Sequence, residues 1–391
     1  MKKYIIIGNG VAGTTAAENI RRNDSNGDIT LVSVEDLPFY YRVRLPEVLS
    51  RSIAESELIA KKKDWYNEKK ISLKLNTEII QANSAEKTVL TADGATFDFD
   101  SLLLANGSHP FIPPIKGAGK KGVFTLHTIN DIRIISQYAE KVNEIVLIGG
   151  GLLGLEAAYA LHKLGKKITV IEFFPRLLPR QLDIEGAARL QHFFENLDFS
   201  FRLGATTREI KGVEGVEQVI LKDNDSLAAE MVIISAGVRP NLELAKMLSL
   251  ETDKGVIVDK YLQTSLPDIY AAGDVIEFNS RTFGIWPAAL EQGKIAGTNI
   301  SGGSAVYEGT TLSNILKVAG IDLASAGEID EDNKYESKIV TTDTIYKKAV
   351  IDNNRVIGCI MLGDRKNFNR ISKAISTGED ILSELDSLLS V

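Results

Sequence analysis

The stretch Gly8-Asn9-Gly10-Val11-Ala12-Gly13 follows an apolar run from Tyr4 to Ile7 and opens a helix-like segment. A second stretch of the same kind, Gly149-Gly150-Gly151-Leu152-Leu153-Gly154, follows the run from Glu144 to Ile148. Glycines at these spacings allow a tight strand-to-helix turn and a close backbone approach, and the helix N-terminus offers free N–H groups to a pyrophosphate. Each stretch therefore predicts a dinucleotide-binding site, and two such sites in one chain indicate electron transfer between two dinucleotides.

An acidic residue closes the second predicted strand after each glycine stretch. Glu35 ends the strand that begins at Asp28, and Glu172 ends the strand that begins at Lys167. A carboxylate at this place accepts hydrogen bonds from ribose hydroxyls. A single glycine-rich turn can serve packing alone, but two copies with strand, helix and acid in place predict an α/β fold with two Rossmann-like domains.

The composition and net charge of the chain exclude several classes of function. The chain has 391 residues, of which 44% are hydrophobic, and a net charge of −7. That content is sufficient for two or three buried cores, and the negative charge argues against nucleic acid as a main partner. No N-terminal signal is visible, and the most apolar stretch, Ile145 to Leu161, contains glycines and Glu156, so we expect a buried strand and helix rather than a membrane span. These features favour a cytoplasmic protein without a membrane partner.

The order of elements predicts three domains. The predicted strand from Ser101 to Leu104 and the one from Met231 to Ile234 each close on a glycine turn, which suggests a duplication. We expect residues 1–112 and 238–306 to form one dinucleotide-binding domain, with residues 113–237 inserted as the second. The pattern then changes to mixed strands and a polar helix, so residues 307–391 are predicted to form a small C-terminal α+β domain.

Several further motifs carry a resemblance to a known family. They are the turn Ala105-Asn106-Gly107 and the segments 149–156, 235–241, 269–274 and 286–293. With the glycine stretches, they make nearly the whole chain similar to the FAD-dependent pyridine nucleotide oxidoreductases. Within that superfamily, segments 39–45, 64–66 and 176–183 most resemble NADH:rubredoxin oxidoreductases and the flavin module of assimilatory nitrite reductases.

The resemblance implies an FAD site. It places the first glycine stretch on the pyrophosphate, Glu35 on the adenosine ribose, Asp274 on the ribitol and Trp286 beside the flavin ring. The alternatives are a plain turn role for Asp274, packing for Trp286, and surface charges for Arg42 and Arg44. The residues implied for FAD are Gly8, Gly10, Ala12, Gly13, Thr14, Glu35, Arg42, Arg44, Ile79, Ala105, Gly107, Asp274 and Trp286.

The resemblance also implies an NADH site, in which Glu172 favours NADH over NADPH and nearby Arg176 leaves NADPH open. Glu156 matches a glutamate that reaches the flavin and nicotinamide rings, and Lys317 matches a lysine near the flavin. A structural ion pair for Glu156 and an ordinary edge-strand position for Lys317 are the alternatives. The residues implied for NADH are Gly149, Gly151, Leu152, Leu153, Gly154, Glu172 and Gly237. The chain departs from the family pattern at Asn106, where threonine is usual, and at His127, where arginine is frequent.

The single cysteine, Cys359, bears on the electron acceptor. It lies in an alternating segment typical of a late strand, so we expect a small buried hydrophobe rather than a redox group. The four histidines are scattered and predict no metal site. With no cysteine for a disulfide or peroxide, electrons are expected to pass from NADH through FAD to a small acidic iron–sulfur protein, rubredoxin or ferredoxin.

Such a carrier requires a basic docking surface. The candidates are Lys61, Lys62 and Lys63 and the cluster Arg365, Lys366, Arg370 and Lys373, with Lys366 and Arg370 as hypothesised contacts. Ordinary solvated helix faces are the alternative for both. The competing functions are an NADH oxidase that uses dioxygen and an FAD-binding redox sensor. A complete nitrite reductase is not expected, because no cysteine cluster follows.

Overall fold

The computed structural model describes residues 1–311 and 313–391, and for residues 314 and 316–318 it describes the backbone only. Up to residue 110 the elements are β1 (Lys3–Ile7), α1 (Val11–Asn23), β2 (Asp28–Val32), α2 (Leu45–Leu49), α3 (Lys63–Glu68), β3 (Ile71–Lys74), β4 (Ile79–Asn83), β5 (Thr88–Thr91), β6 (Thr96–Asp98), β7 (Ser101–Leu104) and β8 (Ser108–Pro110). From there to residue 240 they are β9 (Val123–Thr125), α4 (Ile129–Ala139), β10 (Glu144–Ile148), α5 (Leu152–His162), β11 (Lys167–Glu172), α6 (Ile184–Glu195), β12 (Ser200–Leu203), β13 (Thr207–Lys211), β14 (Gln218–Leu221), β15 (Ser226–Ala228), β16 (Met231–Ile234) and β17 (Val238–Pro240). The remaining elements are α7 (Glu243–Met247), β18 (Val256–Ile257), β19 (Ile269–Ala271), β20 (Ile276–Glu277), α8 (Trp286–Ile300), β21 (Ser313–Val318), β22 (Ile321–Gly327), β23 (Glu336–Thr341), β24 (Tyr346–Asp352), β25 (Arg355–Leu362), α9 (Phe368–Thr377) and α10 (Leu385–Leu389).

The first compact unit comprises Met1–Tyr41, Ala54–His109 and Val238–Thr310. Its central sheet has the order β19-β7-β1-β2-β3, and all neighbouring strands are parallel. Strands β1, β2 and β7 are buried on both faces along most of their length, as expected for a parallel sheet covered on both sides. The strand order reverses at β1, so the loop after β1 lies at the switch point where α/β sheets bind ligands.

Two helices of this unit pack very closely. A Cβ atom added to Gly293 of α8 would lie 2.4 Å from the carbonyl oxygen of Ala12 in α1, and one added to Gly297 would lie 2.6 Å from that of Ala16. These glycines therefore allow backbone-to-backbone contact between α1 and α8. Ala12 is buried in this contact, which gives it a packing role.

The second compact unit comprises Arg42–Ile53, Pro110–Gly237 and Thr311–Val391. Its parallel sheet has the order β12-β11-β10-β16-β9 and repeats the plan of the first unit, with β10 in the place of β1. Helix α2 packs against α4 and α5, so the segment from Arg42 to Ile53 belongs to this unit by its contacts.

The C-terminal part of the second unit is an antiparallel sheet in the order β21-β22-β25-β24-β23. Apolar side chains of α9 and α10 cover one face, on a core that includes Ala349, Cys359 and Met361. Cys359 is fully buried, and burial raises the pKa of its thiol to about 12. The prediction of a small buried hydrophobe is confirmed, as is the α/β fold with two Rossmann-like sheets and a small C-terminal α+β domain.

Candidate active site

The loop between β1 and α1 uses its three glycines in two different ways. Gly8 has φ +112°, and an added Cβ would lie 2.0 Å from the carbonyl oxygen of Ala105. A Cβ on Gly13 would lie 1.9 Å from the carbonyl oxygen of Gly8, whereas one on Gly10 meets no atom within 4 Å. Gly8 and Gly13 are therefore required by the packing of the chain itself. Gly10 leaves open space at the N-terminus of α1, which fits a pyrophosphate.

The loop between β10 and α5 repeats this arrangement. A Cβ on Gly149, whose φ is +107°, would lie 2.2 Å from the carbonyl oxygen of Ser235, and one on Gly154 would lie 2.8 Å from that of Gly149. A Cβ on Gly151 meets nothing within 4 Å. Gly151 is the N-cap of α5 and no side chain caps it, so the first-turn N–H groups of Leu152 and Leu153 face this opening. Both loops thus fit a dinucleotide.

Side chains that sequence reasoning overlooked hold the first loop in place. Thr14 and Tyr66 each donate a hydrogen bond of 3.0 Å from the hydroxyl to the Oδ1 atom of Asn9. Burial raises the pKa of Tyr66, so its hydroxyl stays a donor at neutral pH. The Nδ2 atom of Asn9 is buried and has no hydrogen-bond partner among the described residues. The asparagine within the glycine motif was the available signal for this network.

Glu35 lies in the loop after β2, beside a neighbouring segment of the chain. Its Oε2 atom lies 2.5 Å from the hydroxyl of Tyr40, and its carbonyl oxygen accepts a 3.1 Å hydrogen bond from the N–H of Asn76. Ile79 begins β4 three residues later and is buried. The fold therefore brings the chain segments that carry the implied ribose and adenine positions together in the first unit.

Asp274 and the turn after β7 also come together in the first unit. The hydroxyl of Ser108 donates a 3.1 Å hydrogen bond to the Oδ2 atom of Asp274. The preceding N–H of Gly273 donates to the side chain of Gln292, which is fully buried and donates in turn to the hydroxyl of Tyr307. Ala105 is buried beside Gly8, and Gly107 has φ +65° with open space where a Cβ would be. Gln292 was not predicted as a positioning residue.

Trp286 is the first residue of α8 and belongs to an aromatic cluster. Its ring stacks on Tyr41 with centroids 5.7 Å apart and lies 5.7 Å from Phe39. The N-cap, Ile285, provides no side-chain cap, and Pro287 stands in the first turn. Free N–H groups therefore remain at this helix start, as the flavin interpretation requires. The packing and flavin interpretations of Trp286 are compatible.

Arg42 and Arg44 have partners within the second unit. The guanidinium of Arg42 donates to the Nε2 atom of His127 at 2.7 Å, so that nitrogen is an acceptor. Arg44 makes a bidentate pair with Glu47 at 2.9 and 2.8 Å. His127, where the chain departs from the family pattern, thus provides an acceptor for Arg42. The other departure, Asn106, exchanges hydrogen bonds of 3.0 and 2.7 Å with Asn241 in the first unit.

Glu172 ends β11 and organises the second glycine loop. It is only 7% exposed; its Oε2 atom accepts a 2.6 Å hydrogen bond from the N–H of Gly150, and its Oε1 atom accepts one of 2.8 Å from Phe174. The carboxylate is therefore fixed at the loop where a ribose would lie. Phe173 and Phe174 follow with 67% and 49% of their surface exposed, although large aromatic side chains are usually buried. The sequence signal for this aromatic pair was present but unused.

Glu156 lies in the first two turns of α5 and is partly buried. Burial raises the pKa of its carboxyl to about 7, with a further contribution from the negative charge of Glu47. Among the side chains that the structure describes, no lysine or arginine pairs with Glu156.

The side chain of Lys317, the other predicted catalytic residue, lies outside the described part, and its backbone belongs to the edge strand β21. Gly237 has φ +94° and open space at its Cβ position.

The two predicted docking surfaces differ in their free charge. Lys62 and Lys63 are exposed at the start of α3, and the ammonium of Lys61 lies 4.7 Å from the ring centroid of Trp65. In the C-terminal cluster, Arg365 pairs with Asp322 at 3.3 Å, and Arg370 pairs with Glu379 at 2.9 Å and with Glu384 at 3.3 Å. The C-terminal cluster therefore has less unneutralised charge than its sequence suggests.

The described residues contain neither a helix suited to cross a membrane nor a cluster suited to hold a metal ion. None of the described helices has the length and apolar character needed to cross a membrane. Among the same residues, no group of three or more His, Cys, Asp or Glu side chains is arranged to hold a metal ion.

Comparison with known proteins decides the family. The model of the pyridine nucleotide-disulphide oxidoreductase family matches residues 2–293, and that of the rubredoxin NAD+ reductase C-terminal domain matches residues 313–379. The chain belongs to the pyridine nucleotide-disulphide oxidoreductase family. This family of enzymes uses FAD and NAD(P)H, which confirms the predicted family resemblance and its cofactors.

Family members similar to this chain carry several different names. Nitrite reductase [NAD(P)H] of Bacillus subtilis is 36% identical over 97% of this chain and 48% of its own length. An NADH oxidase of Methanocaldococcus jannaschii is 35% identical over 83% of this chain and 76% of its own length. The crystal structure of NADH:rubredoxin oxidoreductase from Clostridium acetobutylicum is 29% identical, covers 99% of this chain and 98% of that one, and has a TM-score of 0.82. The chain spans about half the length of the nitrite reductase relatives it matches.

Proposed function

We propose that this protein is an FAD-dependent NADH oxidoreductase that passes electrons to a small acidic iron–sulfur carrier such as rubredoxin or ferredoxin. The observation that carries the proposal is the pair of glycine loops, each open at its middle glycine and closed at the other two. Similarity of the C-terminal region to the rubredoxin reductase domain supports the choice of acceptor. So does similarity over the full length to the Clostridium acetobutylicum enzyme.

In this proposal residues 1–112 and 238–306 bind FAD. Gly10 and the first turn of α1 hold the pyrophosphate, Glu35 the ribose, the backbone at Ile79 the adenine, and Asp274 the ribitol. Ala105, Gly107, Arg42, Arg44 and Trp286 complete the set, while Gly8, Ala12, Gly13 and Thr14 keep the loop in shape. FAD held by these residues would supply the conversion between two-electron oxidation of NADH and one-electron transfer to the acceptor. The free N–H groups at the start of α8 stabilise negative charge there.

Residues 113–237 bind NADH in this proposal, and residues 307–391 form the C-terminal domain. Gly151, Leu152 and Leu153 hold the pyrophosphate at the start of α5, and the fixed carboxylate of Glu172 receives the ribose hydroxyls. Gly149, Gly154 and Gly237 shape the surrounding backbone. Glu156, with a pKa of about 7, and Lys317 serve at the reacting end, where a carboxyl that gains and loses its proton near neutral pH responds to charge change.

The sole cysteine supports an external one-electron acceptor. Enzymes that reduce disulfides or persulfides through a thiolate need a reactive cysteine, but Cys359 is fully buried and has a pKa of about 12. No cysteine occurs in segment 39–45, beside the proposed flavin site. FAD bound at this site would pass electrons on without a cysteine intermediate, and transfer to an iron–sulfur protein needs none.

Anaerobic stopped-flow spectroscopy of the FAD-loaded protein tests the proposal. The flavin absorbance is followed after mixing with NADH or NADPH, and the reduced protein is then mixed with oxidised rubredoxin, oxidised ferredoxin or air-saturated buffer. We expect rapid bleaching by NADH, slower bleaching by NADPH, and faster reoxidation by one of the carrier proteins than by dioxygen.

The other outcomes identify the competing functions. Reoxidation mainly by air would replace the carrier with dioxygen, the alternative that the Methanocaldococcus jannaschii relative favours by its name. Failure of NADH to bleach the flavin would contradict the oxidoreductase and leave an FAD-binding sensor.

A further inference from the structure

The segment from Phe173 to Asp183, here called the Arg176 loop, follows directly on Glu172 and is held by the C-terminal part of the second unit. Leu177, Leu178 and Leu182 are fully buried, so the loop is anchored by its apolar side chains. Arg176 is only 11% exposed although it carries a positive charge. A largely buried arginine four residues after the proposed ribose-binding acid is the kind of group that donates hydrogen bonds to the 2′-phosphate of NADPH.

All three guanidinium nitrogens of Arg176 are already engaged. Nη1 donates to the Oε1 atom of Glu331 at 2.6 Å, Nη2 donates to the carbonyl oxygen of Pro179 at 3.1 Å, and Nε donates to that of Leu182 at 3.4 Å. Only Glu331 among these partners neutralises the charge. This ion pair holds the pKa of Glu331 below its usual range, so the carboxylate stays ionised at neutral pH.

Glu331 reaches Arg176 from a rigid turn between β22 and β23. Its neighbour Asp330 is buried and accepts hydrogen bonds from the backbone N–H groups of Lys334, at 2.6 Å, and Tyr335, at 3.4 Å. The buried ammonium of Lys348 donates to the carbonyl oxygen of Asp330 at 3.1 Å and to the Oδ2 atom of Asp183 at 3.1 Å. Lys348 therefore connects this turn to the end of the Arg176 loop, which holds Glu331 next to Arg176.

We propose that Glu331 is a specificity-determining residue that favours NADH by neutralising Arg176, so that a 2′-phosphate finds no unpaired cation beside the ribose. The inference rests on the proposed NADH function. It adds that the choice of dinucleotide depends on the C-terminal region as well as on Glu172. Glu172 repels the phosphate directly, whereas Glu331 removes the charge that would attract it.

The test compares wild-type protein, Glu331→Gln, Arg176→Gln and the double variant, all loaded with FAD. Calorimetry measures the dissociation constants of 2′,5′-ADP and 5′-AMP, which differ by the 2′-phosphate alone, and stopped-flow measures flavin reduction by NADPH and NADH. For Glu331→Gln we expect the preference for 5′-AMP to fall by roughly fivefold, because Glu331 then no longer neutralises the charge of Arg176. In the Arg176→Gln background the Glu331 substitution should have no further effect.

Asp332→Asn is the matched control. It removes the same formal charge one residue away, but Asp332 forms its ion pair with Lys334 and interacts with Arg176 only at longer range. An unchanged ligand ratio in Glu331→Gln, an effect that persists without Arg176, or an equal effect in Asp332→Asn would each overturn the inference. Failure of the proposed function is distinct, because it appears as the absence of flavin reduction by NADH in the wild-type protein.

Discussion

At the scale of single residues, the glycines of one motif have different functions. The outer glycines of each loop lie against backbone carbonyls of the same unit, so they are constrained by folding. The middle glycines, Gly10 and Gly151, lie against empty space and have backbone angles open to any residue, as the φ of −82° and ψ of −166° at Gly10 show. A residue that the fold does not need to be glycine points to a requirement imposed by a ligand.

This difference predicts opposite effects of alanine at neighbouring positions. Gly10→Ala should lower the free energy of unfolding of the apoprotein by no more than about 1 kcal/mol, because alanine is a poorer N-cap than glycine, and it should lower the FAD content. Gly13→Ala should destabilise the apoprotein by about 1–3 kcal/mol, because its Cβ would overlap a backbone carbonyl. The ratio of flavin to protein absorbance and the unfolding midpoint of the apoprotein measure the two effects.

Gly151→Ala provides the corresponding test for the second loop. It should retain FAD and weaken NADH binding at an N-cap cost of no more than about 1 kcal/mol, whereas Gly154→Ala should lower the midpoint further. Equal behaviour of the middle and outer glycines would contradict the assignment of the openings to ligands.

Glu156 predicts a pH dependence of stability. Its pKa is raised from 4.5 to about 7 in the folded protein, so the folded state binds the proton more tightly than the unfolded state. Stability from this group is therefore present below about pH 4.5 and is lost as the pH rises to 7. Relative to Glu156→Gln, the wild-type protein should lose about 1–3 kcal/mol between pH 4.5 and pH 8. Denaturant unfolding of both proteins at the two pH values measures this difference.

Glu47→Gln separates the two causes of that shift. Removing the neighbouring carboxylate should lower the pKa of Glu156 and move the pH-dependent loss to lower pH without abolishing it. A parallel pH dependence in wild-type protein and Glu156→Gln would show that Glu156 does not titrate in this range. Under the proposed function, the rate of flavin reduction by NADH should also change near pH 7 in the wild type alone.

At the scale of elements, helix α6 begins on a side chain that has two functions. Asp183 is its N-cap and accepts a 3.0 Å hydrogen bond from the N–H of Gly186. The same carboxylate accepts hydrogen bonds from the hydroxyl of Tyr346 at 2.6 Å and from the buried ammonium of Lys348 at 3.1 Å. The start of α6 is therefore also the counter-charge of a lysine that is 1% exposed.

Asp183→Ala should consequently destabilise the folded protein much more than the loss of an ordinary N-cap does. We expect the free energy of unfolding to fall by about 3–5 kcal/mol, because a buried lysine loses a charged partner. Thr128→Ala is the control: Thr128 caps α4 through a hydrogen bond to the N–H of Asp131, and its removal should destabilise by about 1 kcal/mol. Denaturant unfolding compares the variants. Adding Lys348→Met to Asp183→Ala should restore part of the loss, and equal effects of the two cap substitutions would contradict the ion-pair role.

Several elements could be predicted from the sequence because their local pattern of apolar and polar residues matches their burial in the fold. The apolar runs that became β1 and β10 are buried on both faces, and Trp286-Pro287 marked the start of α8. Strand β24 was not predictable in this way. Its adjacent residues Lys347 and Lys348 are both buried, since each face of the strand is covered and each ammonium finds a carboxylate distant in sequence.

At the scale of the whole chain, the duplicated plan was visible in the sequence but its long-range pairings were not. The two parallel sheets follow from repeated strand, glycine turn and acid. His127, which Arg42 contacts, and Glu331, the ion-pair partner of Arg176, lie 85 and 155 residues away, and no local pattern indicates them. The sequence alone also predicts more unpaired positive charge in the C-terminal basic cluster than the structure shows, because Arg370 forms ion pairs with Glu379 and Glu384.

The docking of an acidic carrier should therefore depend more on Lys62 and Lys63 than on Lys366 and Arg370. Within residues 1–311 and 313–391, neither Lys62 nor Lys63 is in an ion pair, and both stand at a helix N-terminus, where cations reduce helix stability. The double variant Lys62→Glu, Lys63→Glu should raise the KM for the carrier about tenfold at low salt and flatten its salt dependence, because steering by opposite charges is lost. Electron transfer to ferricyanide, which needs no docking surface, should be unchanged. Lys222→Glu, an exposed reversal elsewhere, is the matched control; a larger effect from Lys366→Glu than from the lysine pair would move the docking surface to the C-terminal helix.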